Sequence, residues 1–93
     1  MNSLKGKTSG VYKVYTESSS YIINLNRGLV KRVPGVGMAL DGDYLWIGLK
    51  DVYAVVGEIM HLSCSGLHPE DVYTWRRTTT VQRIEKIDGR KKV

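Results

Sequence analysis

The sequence predicts an all-β domain, and three observations carry that expectation. β-Branched side chains dominate, with 11 Val, 6 Ile and 6 Thr against 2 Ala. Branching at Cβ restricts χ1 in a helix but packs well on a pleated surface. Ten Gly residues cut the chain into short pieces, as tight turns require. No segment holds an apolar stripe at the helical period, whereas several alternate every two residues.

Residues 1–9 are small, polar and basic with nothing to pack, and read as a flexible N-terminal arm. The first strand is Val11-Tyr12-Lys13-Val14-Tyr15-Thr16, followed by the polar connection Glu17-Ser18-Ser19-Ser20. In Tyr21-Ile22-Ile23-Asn24-Leu25 the odd positions share a face. Asn26-Arg27-Gly28 fits a three-residue hairpin loop, with Gly28 in the left-handed position. Residues 29–33 form a third strand, stopped by Pro34-Gly35.

Asp41-Gly42-Asp43 then joins Met38-Ala39-Leu40 to Tyr44-Leu45-Trp46-Ile47-Gly48-Leu49 as a hairpin. Residues 50–56 fit either a strand or a helical turn, because short apolar runs do not resolve by period. Ile59-Met60-His61-Leu62-Ser63-Cys64 is a further strand, and residues 65–71 are the longest loop. Residues 72–87 finish the domain as one bent strand or two, and 88–93 form a basic tail.

The chain of 93 residues thus holds one domain, residues 10–87. Its expected architecture is a small antiparallel barrel or sandwich of about six short strands, SH3-like or OB-like, since closure removes exposed edges. The expected core is Val14, Ile23, Leu25, Val33, Leu45, Ile47, Met60, Leu62 and Ile84.

Composition narrows the function. One cysteine, Cys64, cannot form an intrachain disulfide, which suits a reducing cytoplasm. No apolar run reaches the ~18–20 residues that cross a bilayer, and the first ten residues lack the apolar core of a secretory signal. On a strand His61 and Cys64 point to opposite faces, so no nucleophile–base pair is expected. Asp41-Gly42-Asp43 resembles the start of a calcium loop, but the twelfth position is Val52 rather than a bidentate Glu. No Gly-rich phosphate loop or Ser-His-Asp arrangement is present. The sequence therefore points to a non-enzymatic protein with no cofactor, no metal, no membrane partner and no small-molecule substrate.

The net charge of +5 arises in residues 74–93, which carry 7 basic and 2 acidic side chains; residues 1–73 balance. The most distinctive stretch is Tyr73-Thr74-Trp75-Arg76-Arg77. Aromatics beside Arg are the commonest hot-spot types at protein interfaces, so Tyr73, Trp75, Arg76 and Arg77 are the first candidates for binding, with Tyr44 and Trp46 second. An exposed strand edge would add to a partner's sheet. The alternative is nucleic-acid binding along the basic strand and tail, through Arg76, Arg77, Arg83, Lys86, Arg90, Lys91 and Lys92. The plain reading is that Trp75 packs in the core and the arginines are solvated.

Residues 11–16, the Ser-rich turn, residues 21–25, Asn26-Arg27-Gly28 and Arg32-Val33-Pro34-Gly35 resemble the opening of small uncharacterised β-proteins encoded by actinobacteria and their phages. Arg77-Thr78-Thr79-Thr80-Val81 with Ile84 is similar to their closing strand. The resemblance covers most of residues 10–87. It implies a compact β fold, no catalytic residue, and binding to a host or partner protein, with the host cytoplasm as its setting if the chain is phage-encoded.

Overall fold

In the computed structural model, residues 1–34, 45–65 and 74–87 are described. Six strands follow one another: β1 (Val11–Thr16), β2 (Ser19–Asn24), β3 (Leu29–Pro34), β4 (Ile47–Tyr53), β5 (Ile59–Cys64) and β6 (Thr74–Ile87). Each pairs antiparallel with the next, and β6 returns to β1, so the sheet closes into a barrel in sequential order. No helix occurs among the described residues. The order is a plain meander, without the Greek-key crossing of an OB-type barrel.

Local chemistry explains the first two hairpins. Thr16 and Ser19 close the β1–β2 turn: the Thr16 hydroxyl donates to the Ser19 carbonyl at 3.0 Å and accepts from the Ser19 amide at 3.3 Å. Between β2 and β3 the register pairs Asn24 with Leu29. The loop is therefore four residues, one more than the sequence suggests. Gly28 sits at φ +65°, where a Cβ would come within 3.2 Å of the Leu49 carbonyl oxygen. That carbonyl belongs to β4, which Gly28 also holds through its own carbonyl and the Leu49 amide, at 2.8 Å.

β4 and β6 each serve two neighbours over different halves. β4 pairs with β3 through Ile47 and Gly48, then with β5 from Leu49 onward. β6 pairs with β5 over Thr74 to Thr80 and with β1 over Val81 to Ile87. The register slips where each passes from one side to the other. On β4 the pairs Leu49–Cys64 and Asp51–Ser63 leave Lys50 as an extra residue. On β6 the slips fall at Thr78–Thr79 and at Gln82. Such bulges bend a strand and tighten its twist, which is how a strand turns a barrel corner.

The bulges also change which residues look inward. Leu49 and Val52 are three apart, yet both lie on the core side. Val81 and Ile84 are likewise three apart and both buried. Around them Tyr12, Val14, Ile23, Val30, Ala54, Met60, Leu62 and Cys64 fill the interior. Of the expected core, Val14, Ile23, Met60, Leu62 and Ile84 are buried, while Leu25 and Ile47 pack against it in part. Val33 is half-buried.

Two expectations are corrected. Leu45 is 54% exposed, because β4 begins at Ile47 and Leu45 lies ahead of the paired ladder. The N-terminal arm does have something to pack: Leu4 is only 3% exposed. Its amide donates to the Ala54 carbonyl at 2.9 Å, the Val56 amide donates to Asn2 at 2.8 Å, and Ser3 bridges Val55. These bonds continue the β4 ladder past Tyr53. Residues 50–56 are accordingly strand through Tyr53. The expected Asp41-Gly42-Asp43 hairpin and the basic tail lie outside the described residues.

Leu4→Ala is expected to lower stability by about 2–4 kcal/mol in urea unfolding, as for a buried leucine. Leu45→Ala should stay within about 0.5 kcal/mol. Equal effects would mean that the arm is not docked.

Candidate functional site

On β5, Met60, Leu62 and Cys64 point into the barrel, so alternation sets Ile59, His61 and Ser63 on the other face, where Ile59 is exposed and Ser63 is covered. The register extends this outer face across its neighbours. One row sets Tyr53, His61 and Arg77 side by side; the next sets Asp51, Ser63 and Trp75. Ile59 stands opposite Thr80 at the far end. Trp75 is 62% exposed, Ile59 44% and Tyr53 37%, so a single sheet face holds three large, uncovered apolar side chains. Isolated surface apolar residues are ordinary, but grouped ones mark interaction sites.

Polar groups frame this face. The Tyr53 hydroxyl donates to Glu58 Oε1 at 2.9 Å, and that bond to a carboxylate holds the phenol above its ordinary pKa. The Tyr53 and His61 rings tilt by 56° at 6.2 Å between centroids. Among the described residues no acidic side chain pairs with Arg76 or Arg77. Arg76 is opposite Leu62 and belongs to the inward side of the ribbon, although it is exposed. Its charge acts on the neighbouring Cys64 thiol, opposing the larger upward push of burial, so the thiol stays above its usual pKa.

The outer face of β1, β2, β3 and the second half of β6 has a different chemistry. One row runs Glu85, Lys13, Ile22, Lys31; the next runs Arg83, Tyr15, Ser20, Val33. Tyr15 carries the Lys13 ammonium 5.0 Å from its ring centroid and the Arg83 guanidinium at 4.7 Å. Its hydroxyl donates to Glu85 Oε1 at 3.2 Å. Arg83 and Glu85 form an ion pair, which lowers the pKa of the carboxyl and raises that of the guanidinium. Lys31 lies 4.8 Å from the Trp46 ring.

The candidates from sequence are thereby sorted. Trp75 and Arg77 share the β4–β5–β6 face, while Arg76 points the other way. Trp46 stands beside Lys31 on the other sheet and does not join them. Tyr73, Tyr44, Arg90, Lys91 and Lys92 lie outside the described residues. The basic strand does not present one surface. Arg77 faces out over β5 and Arg83 over β1, whereas Lys86 is opposite Tyr12 on the inward side. The change of neighbour along β6 causes this dispersal, because its first half faces out beside β5 and its second half beside β1. Closure gives every strand two neighbours, but β4 and β6 meet each of theirs over only part of their length.

Sequence reasoning missed Tyr53 and Ile59. The available signal was the strand alternation itself: once Met60 and Leu62 are core, Ile59 must face water. It also missed Lys13, Tyr15 and Lys31, which only the register brings together with Arg83.

Compared with protein-family models, curated proteins and solved structures, the chain matches none. Site chemistry must therefore speak for itself. Among the described residues no group of three or more His, Cys, Asp or Glu is placed to hold a metal. The described residues hold no helix long and apolar enough to cross a membrane. Cys64 points inward and His61 outward on β5, so the pair cannot share a proton.

Cys64 is expected to resist alkylation. At pH 8, iodoacetamide should label the folded protein at least ~100-fold more slowly than the urea-unfolded chain, as burial and a protonated thiol require. Rapid labelling of the folded form would mean that the β5–β6 ribbon opens readily.

Proposed function

We propose that the protein is a non-enzymatic binding module that docks a protein partner on the outer face of β4, β5 and β6. The observation that carries this reading is the grouping of Trp75, Ile59 and Tyr53, all exposed, on one rigid sheet face. Trp and Arg dominate interface hot spots, and Trp75 immediately precedes Arg76 and Arg77 in sequence and shares its outward face with Arg77.

The border of the face describes the partner. Arg77 supplies a cation at one side, and Asp51 and Glu58 supply anions at another. A uniform polyanion meets repulsion from the two carboxylates. A protein surface with an apolar hollow for Trp75, a carboxylate for Arg77 and a basic group near Glu58 fits both kinds of charge. The resemblance to actinobacterial and phage proteins favours a host protein as that partner. A second copy of this chain is the other candidate for the same face.

The test begins with capture from host lysate, half of it nuclease-treated, followed by calorimetry on the purified partner. Retention after nuclease is expected. Trp75→Ala should then weaken binding by about 30-fold, corresponding to about 2 kcal/mol. Leu45→Ala, an exposed apolar residue away from this face, should change it by less than about twofold. Unchanged affinity in a Trp75→Ala/Arg77→Ala double variant would refute the placement.

A further inference from the structure

The outer face of β1, β2, β3 and the second half of β6 is a separate surface, and its chemistry does not suit the partner described above. We infer that it binds single-stranded nucleic acid, with Lys13, Lys31 and Arg83 on phosphates and Trp46 as a stacking platform. The inference rests on this face alone and stands or falls apart from the protein-docking reading.

Charge complementarity is the first support. Lys13 and Lys31 both pair with Ile22 in the register, one on each side. Adjacent strands are ~4.8 Å apart, so the two lysine positions are about 10 Å apart. Neither lysine is in an ion pair among the described residues. The one acid of the row, Glu85, is already engaged by Arg83 and by the Tyr15 hydroxyl. It therefore adds little repulsion against an incoming phosphate.

The second support is how the cations are held. Lys13 and Arg83 lie against Tyr15, and Lys31 lies against Trp46, each within 5.0 Å of a ring centroid. A cation resting on a ring keeps N–H donors turned away from it, and less side-chain freedom is lost when those donors meet a phosphate. Ile22, half-buried between the lysines, gives a sugar or base an apolar floor. Trp46 is 43% exposed, which leaves ring surface for a base.

These features select single strands over duplexes. A duplex offers phosphates but keeps its base faces stacked, so Trp46 would gain nothing from it. An unpaired strand offers both, and stacking on an aromatic is tolerant of sequence. Nothing on this face distinguishes ribose from deoxyribose.

Fluorescein-labelled dT and U oligonucleotides of about 12 nucleotides, titrated by anisotropy at about 50 mM salt, test the inference. Both should bind at least ~10-fold more tightly than a duplex of equal length. The log–log salt slope should be near −2, as three phosphate contacts at ~0.7 each require. Lys13→Glu/Lys31→Glu should lose at least ~10-fold, and Lys13→Ala/Lys31→Ala should show a smaller loss in the same direction. The charge-matched Lys5→Glu/Lys7→Glu on the N-terminal arm should change affinity less than about twofold. Trp46→Leu should cost at least ~5-fold for oligonucleotides and less than about twofold for inorganic polyphosphate, which loses only the support of Lys31. Circular dichroism confirms that each variant is folded. A flat salt slope, an equal loss in the arm variant, or duplex affinity equal to single-strand affinity would overturn the inference. A Trp46→Leu variant with full oligonucleotide affinity would do so too, leaving only a general polyanion site.

Discussion

Closure of the barrel depends on two strands that turn corners. A regular strand keeps alternate side chains on one face and cannot leave one sheet for another without a bend. β4 bends at Lys50, and β6 bends at Thr78–Thr79 and again at Gln82. The last of these corners is clamped from outside. The Gly57 amide donates to the Val81 carbonyl at 2.9 Å, and the Val81 amide donates to the Glu58 carbonyl at 2.8 Å. The turn between β4 and β5 thus holds the corner of β6, while β6 holds β1. Without the Gln82 bulge, Val81 and Ile84 could not both point inward, and the face of every residue beyond would reverse.

The same corners divide the outside of the barrel. Along β6 the chain carries Trp75 and Arg77 to one sheet and Arg83 to the other. A stretch that is continuously basic in sequence is consequently split between two surfaces. One surface is aromatic and aliphatic with mixed charge at its border. The other places cations against aromatic rings around a single isoleucine. Neither composition follows from β6 alone, because β5 supplies Ile59 and His61 to the first, and β1 and β3 supply Lys13 and Lys31 to the second.

The sequence was most legible where a residue's role depends on its neighbours along the chain. β1 and β5 have the bounds that alternation predicts, and Val14, Ile23, Met60, Leu62 and Ile84 are buried as their strand positions require. Trp75 and Arg77 were visible by chemical type and share a face because no bulge lies between them. Legibility ended where the partner is distant. Leu4 looked unsupported because its contacts lie around Ala54 and Val56, some fifty positions on. Leu45 looked like core because Ile47 and Leu49 continue its alternation, but the ladder starts after it. Tyr15 meets Glu85 across a separation of 70 residues, which no local pattern reports. The bulges were equally hidden, since an extra residue such as Lys50 or Gln82 is polar and unremarkable by type.

A small closed barrel places function on its outside for a physical reason. Its interior is filled by its own side chains, with Ile23, Met60, Val14, Val81 and Cys64 fully buried. Backbone donors and acceptors of the paired segments are used around the ring of strands. What remains for recognition is the set of side chains that stand outward on paired strands. Such side chains have an advantage over loop residues, because their backbones are already ordered before a partner arrives. Trp75 illustrates the point: its strand is fixed by β5, its ring has few rotatable bonds, and most of its surface is still in water. Binding can therefore draw on burial of that ring with little ordering cost. The strand pairing that closes the barrel is also what makes its outward aromatics effective.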